Sequence, residues 1–141
     1  MPRFWGEQAA GILFLAEGSA LLLKRSQRVR NPGLWSIPGG AVHKGEPVAV
    51  AALREGQEEL GDFPAVELGE PRAFVWRTPD KGSGFKYTTL VFQLPRLPLR
   101  WSPLLNWEHD DWGWFRIEEA LLHPEVHPGV RWVLRQLLAK R

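Results

Sequence analysis

The sequence predicts one domain of mixed strands and helices, an α/β or α+β fold. Three observations predict it. The chain has 141 residues, the size of one ordinary domain. Hydrophobic residues make up 44% of it, enough to close a core. Strand-like apolar runs are interspersed with segments of helical period.

Residues 8–26, QAAGILFLAEGSALLLKRS, read as two apolar strands around a turn at Gly18-Ser19. Residues 27–40 read as a loop, broken at Asn31-Pro32-Gly33 and Pro38-Gly39-Gly40. From Pro47 to Leu60 alanine is frequent and Gly56 is the one breaker. Pro47 suits a first helical position and Gly61 a left-handed stop, so a helix is predicted between them. Residues 65–78 and 85–94 read as strands, joined as a hairpin by the turn-rich PDKGSG. Three prolines make residues 94–109 mostly irregular. Residues 110–117, DDWGWFRI, form a last strand. Residues 118–141 carry a short helix and then a longer one. In the latter, Val130, Val133, Leu134, Leu137 and Leu138 recur at helical spacing and predict a core face.

Composition excludes several chemistries. Cysteine is absent, which removes disulfides, thiolate metal sites and a cysteine nucleophile. The net charge of +2 balances 18 basic against 16 acidic residues, so a nucleic-acid partner is not expected. The start of the chain lacks a signal-peptide layout and no apolar run has membrane-spanning length, so a soluble, cytoplasmic protein without a membrane partner is expected. Twelve prolines and a single methionine fit a heat-adapted source, and GC-biased coding predicts much the same.

Residues 39–61, GGAVHKGEPVAVAALREGQEELG, gather four glutamates in a chain of net positive charge. On a helix Glu55, Glu58 and Glu59 share one face, at i, i+3 and i+4, and Arg54 can pair with Glu58 from its edge. Clustered carboxylates make a poor structural surface and a good site for a hard cation such as Mg2+. A solvated acidic face is the plainer alternative, and it would suffice for an isolated pair of glutamates.

The spacing goes further. Gly40, five residues, Glu46, seven residues, Arg54-Glu55, two residues, Glu58-Glu59, one residue and Gly61 resembles the Nudix box, G-x5-E-x7-R-E-U-x-E-E-x-G-U, with U a bulky aliphatic. Seven fixed residues match by chance on the order of once in 10^8 start positions. The two preceding strands, the approach NPGLWSIPGG and the later WGWFRIEEAL also look like this family. Two positions depart from the pattern, Gly56 and Asp62, where the family prefers aliphatics. A mid-helix glycine costs roughly 1 kcal/mol relative to alanine, so Gly56→Ala is expected to stabilise the fold if the site holds a methyl group.

The resemblance implies a Nudix-type α/β/α sandwich over residues 1–141, with a mixed sheet between helices. It implies hydrolysis of a pyrophosphate bond in a nucleoside diphosphate derivative, with Mg2+, or Mn2+ in its place, held by Glu55, Glu58 and Glu59. The general base is left between Glu55 and Glu108, with Glu55 favoured. Arg54 orients the glutamates, and Glu46 is a structural contact of the loop. Gly39 and Gly40 allow a tight backbone turn beside the metal. Arg25 is a candidate for phosphate or a solvent-facing strand end, Arg28 and Arg30 share that ambiguity, and Trp35, Trp76 and Tyr87 are candidates for base stacking, with core packing the favoured alternative for any single one. Trp107, Trp112 and Trp114 are expected to fix the loop carrying Glu108, and Asp110 and Asp111 are further acids of that loop. The four histidines are read as surface or cap residues. The expected substrate is a nucleoside triphosphate, oxidised ones included, acted on by a monomer or homodimer. The rivals are a nucleotide-sensing module without catalysis and a 5′-end RNA pyrophosphohydrolase.

Overall fold

The structure is a computed structural model that describes residues 8–77 and 85–140. In chain order its elements are β1 (Gln8–Ala16), β2 (Ser19–Arg25), β3 (Trp35–Ser36), β4 (Gly39–Ala41), α1 (Val48–Leu60), β5 (Arg72–Arg77), β6 (Lys86–Gln93), β7 (His109–Arg116), α2 (Ile117–Leu122) and α3 (Pro128–Ala139).

β1 and β2 turn back on each other at Glu17 and Gly18, both with positive φ (51° and 79°), the backbone of a tight hairpin turn. They pair only beside that turn, at Leu15↔Ala20 and Ala16↔Ser19, and then diverge. On their outer edges each keeps a long partner. β6 runs parallel to β1 from Gln8 to Leu15, and β7 runs antiparallel to β2. β5 closes the β6 side as an antiparallel neighbour. The fork between β1 and β2 is filled by β3 on β2 and β4 on β1. Residues 27–40 were expected to be loop throughout. They supply these two strands because the diverging backbones need partners. Between them the Ile12 N–H donates to the Pro38 carbonyl at 3.1 Å.

Side-chain alternation along the hairpin splits the core in two. Leu13, Leu15 and Leu22 face α2 and α3, while Ile12, Phe14, Leu21 and Leu23 face α1. The result is a mixed sheet between helices, as the resemblance implies. α3 buries Val130, Val133, Leu134 and Leu137 on its predicted face, with Leu138 partly buried at the edge. Among the described residues no helix is long and apolar enough to cross a membrane.

Several boundaries move. Pro47 is the residue before α1, extended at φ −62° and ψ 143°, rather than its first helical residue; Gly61 stops the helix at φ +76° as expected. The strand predicted over 65–78 begins only at Arg72, after Gly69-Glu70-Pro71. The last strand starts at His109. The PDKGSG turn lies outside the described residues, although Arg77↔Lys86 pairing confirms the hairpin around it.

Gly56 is buried where α1 crosses β1. A Cβ there would overlap Ile12 Cδ1 and come within 3.0 Å of its Cγ1 and 3.1 Å of Phe63 Cζ. The expected room for a methyl group is absent, because Ile12 is wholly buried and cannot give way freely. Asp62 likewise needs no aliphatic: Phe63 packs edge-on against Phe14 at 5.5 Å instead. Overpacking costs about 1–3 kcal/mol and the helix gain is about 1 kcal/mol. Gly56→Ala is therefore expected to lose roughly 1 kcal/mol and lower Tm by about 3 °C. A thermal melt checks it; a rise in Tm would show that Ile12 yields.

Candidate active site

Arg54 organises the acidic face of α1. Its guanidinium grips Glu46 with two bonds, Nε to Oε2 at 2.9 Å and Nη2 to Oε1 at 3.0 Å. Nη1 donates to Glu55 Oε2 at 2.8 Å and lies 3.5 Å from Glu58, while Nη2 also reaches the Ala41 carbonyl at 3.0 Å. Glu46 further accepts from the His43 N–H at 3.0 Å. These bonds, Arg54 first, hold the Glu46 carboxyl down at about 2. Glu46 is thus a structural contact of the loop after β4, as expected, and Arg54 fastens it to α1.

The glycines serve space rather than turning. Neither Gly39 nor Gly40 has positive φ; both are extended residues of β4. A Cβ on Gly40 would stand 2.5 Å from the Glu55 carboxyl. One on Gly39 would strike the Tyr87 hydroxyl, which also abuts Gly11. The tight turn expected at these positions is replaced by close approach.

Glu59 is only 2% exposed, and its Oε1 accepts from the Gly39 N–H at 3.3 Å. Burial drives its pKa far above the carboxylate range, and the charges of Glu108 and Glu55 push the same way. Within ion-pairing distance among the described residues its one partner is His109, with Nδ1 at 3.7 Å. That imidazole is pulled down to about 4, mainly by burial and then by Arg25, so it is uncharged at neutral pH. Glu59 therefore sits buried beside Glu55 and Glu108 with no charged partner of its own among the described residues, whereas Glu55 is paired with Arg54.

Glu108 comes near this cluster from the stretch before β7, close enough for its charge to act on Glu59. The irregular stretch before β7 is tied to the end of α1 by Leu104 N–H to Leu60 O at 2.7 Å, Asn106 Nδ2 to Glu58 O at 3.2 Å and Trp101 Nε1 to Asp62 O at 2.8 Å. Asn106 then holds Glu108 twice, accepting from its N–H at 3.0 Å and donating to its Oε1 at 3.3 Å. Trp112 and Trp114, expected to fix this loop, pack against the α1-side core from β7. Trp107 is 58% exposed, and it is Trp101 whose indole N–H ties the stretch to Asp62. Asp110 and Asp111 are exposed on β7, and Asp111 caps its own neighbour's N–H at 2.8 Å.

Beside the carboxylates lies a cavity of about 430 Å³, a volume suited to a small ligand. Gly39 and Gly40 line it on one side, Arg25 and Arg30 on another, with Trp76, Phe85, Tyr87 and His127 among the aromatic walls. Arg25 is anchored through Nε to the Arg30 carbonyl at 2.5 Å. Trp35 takes the core-packing alternative: its ring lies tilted against Phe115, centroids 4.7 Å apart, on the α3 side and outside the cavity lining. His127 caps α3 by accepting from the Gly129 N–H at 3.0 Å. His109 contradicts its reading as surface or cap, being 4% exposed, because a strand bulge turns it inward.

The structure thus gathers Glu55, Glu59 and Glu108, keeps Glu58 57% exposed nearby, and sets Arg25 in the adjoining cavity. Among the described residues no three acidic or histidine side chains converge on one point as they stand. Asn106 is not singled out by the sequence, and His109 reads there only as a surface or cap residue. Their signal was proximity to Glu108, which spacing alone does not turn into a role.

A NUDIX domain family model matches residues 6–137. The nucleoside triphosphatase NudI of Escherichia coli K12 is 31% identical over 124 residues, covering 84% of this chain and 87% of that protein. An RNA pyrophosphohydrolase of Rhodospirillum rubrum is 26% identical, covering 92% and 86% respectively. Among solved structures, the Nudix hydrolase RenU of M. smegmatis superposes with a TM-score of 0.77 at 26% identity, covering 99% of this chain and 90% of that one. With the box on α1, the sandwich around it and a family match over nearly its whole length, this chain belongs to the Nudix hydrolase family.

Proposed function

We propose that the chain hydrolyses a pyrophosphate bond of a nucleoside triphosphate, oxidised forms included, using a divalent cation held by Glu55, Glu58 and Glu59. One observation carries the reading: a buried carboxyl hemmed in by two more, touching the same glycines that line an arginine-bearing, aromatic cavity. Uncompensated acid beside such a cavity is the complement of a cation-bridged phosphate with a base attached. The oxygen-only donor set suits Mg2+ or Mn2+. Glu58, the exposed member, turns inward to complete it. Bound there, the cation would offset phosphate charge and acidify a coordinated water.

The chain's own groups then divide the work. Arg54 holds Glu55 in place through one oxygen. Asn106 holds Glu108 through Oε1, leaving Oε2 to take the proton of the attacking water. Arg25 meets phosphate oxygens as a planar donor. Trp76, Phe85 and Tyr87 offer faces on which a base gains about 1–3 kcal/mol by stacking. The similarity to NudI favours nucleoside triphosphates. The RNA pyrophosphohydrolase relative supports a second reading, in which the triphosphate is the 5′ end of an RNA. Intact Glu55, Glu58 and Glu59 count against a sensor without catalysis.

A hydrolysis screen tests this. Nucleoside triphosphates should turn over with Mg2+ or Mn2+, ahead of sugar nucleotides and 5′-triphosphorylated RNA, and excess chelator should abolish turnover. Activity persisting in chelator, or nucleotide binding without cleavage, would overturn it.

Glu59 also sets a pH dependence. Its pKa in the fold lies above its ordinary 4.5, so folding without a cation takes up a proton. That stability is complete at low pH and drains away as pH rises. In chelator, Tm should fall between about pH 7 and about pH 9, Glu59→Gln should flatten the fall, and saturating Mg2+ should remove it. A flat wild-type profile in chelator would contradict the burial argument.

Glu108→Gln should lower kcat by at least about tenfold with a smaller change in KM. Asp110→Asn and Asp111→Asn, exposed on β7, should matter less. Steady-state kinetics of the three variants decides; normal kcat in Glu108→Gln would return the base to Glu55.

A further inference from the structure

The ring of His109 is an anomaly. Its side chain is 2% exposed, and neither Nδ1 nor Nε2 has a hydrogen-bond partner among the described residues. A buried polar group left unpaired is expensive, and such cases call for a physical reason. The backbone there is held on purpose. Ser26 N–H donates to the Glu108 carbonyl at 2.9 Å. The β2–β7 register also slips by one, with Lys24 opposite Asp111 and Arg25 opposite His109. The slip makes Asp110 the extra residue of a bulge, a device that re-aims side chains beside active sites. It carries the imidazole, and not an aspartate, toward α1.

There Nδ1 stands 3.7 Å from Glu59 Oε1, roughly half an ångström beyond a formed bond. The same Oε1 already accepts from the Gly39 N–H. We propose that His109 is a positioning residue for Glu59: its Nδ1–H donates to Oε1 and, with the Gly39 N–H, fixes the carboxylate so that Oε2 is left to the cation. The inference rests on the reading of Glu59 as a cation ligand. An imidazole suits the task because its Nδ1 can present one directed N–H to Oε1. A lysine or arginine would bring a rival positive charge into a site that must attract a cation. Outer-shell donors of this kind fix ligand orientation, and their loss costs metal affinity.

The test compares His109→Leu, which keeps bulk without a donor, with His109→Asn, whose amide nitrogen can stand near the Nδ1 position. Three quantities are read: the Mn2+ dissociation constant by calorimetry or electron paramagnetic resonance, Tm in chelator, and kcat against KM. His109→Leu should bind Mn2+ about tenfold or more weakly and lose kcat with little change in KM, while its Tm in chelator is held or raised. His109→Asn should recover most of the Mn2+ affinity. Mn2+ binding within about twofold of wild type in a folded His109→Leu would overturn the proposal. Equal loss in both variants, with Tm in chelator lowered, would do the same by making the role structural. Wild-type protein that binds no Mn2+ would instead bring down the underlying reading of Glu59.

Discussion

Everything at the candidate site depends on how closely α1 lies against the sheet. The approach is possible because two contact points carry no side chain. Ile12 occupies the space that a side chain at Gly56 would take, and the Glu55 carboxyl occupies that of Gly40. Widen that gap and Arg54 loses the Ala41 carbonyl, Glu59 loses the Gly39 N–H, and the acid cluster leaves the cavity wall. The glycine that breaks the family pattern in mid-helix thus belongs to the same contact as the glycine that obeys it.

This closeness has an electrostatic cost. A helix pressed so tightly on the sheet buries Glu59, and the fastened loop before β7 brings Glu108 toward it. Arg54 cannot neutralise all of this, because it is committed to Glu46 and Glu55 and only grazes Glu58. The fold therefore holds acid in a state that only a proton or an added cation relieves. On the function proposed above, a substrate bringing phosphates and a divalent cation would supply that relief.

Much of this was legible in the sequence because it was local. The limits of α1 follow from Pro47 and Gly61, the β1–β2 hairpin from two apolar runs around a turn, and the core face of α3 from its period. The box placed four carboxylates and the arginine that manages them. What stayed hidden depends on contacts between distant segments. β3 and β4 exist because two strands diverge, which no residue between 27 and 40 announces. Whether Gly56 is a flaw or a fit depends on Ile12, more than forty positions away. Trp35 and Trp76 look alike in sequence, yet one packs on Phe115 and the other lines the cavity. His109 owes its burial to a one-residue bulge.

A crystal structure of the protein with Mn2+ and a non-hydrolysable nucleoside triphosphate analogue, the cation located by anomalous scattering, tests whether the buried acid of α1 holds a cation. Manganese is expected between Glu59 and its neighbours Glu55 and Glu58, bridged to the analogue's phosphates, with the base in the cavity beside Trp76. Manganese bound away from α1, or an analogue seated outside that cavity, would contradict this expectation.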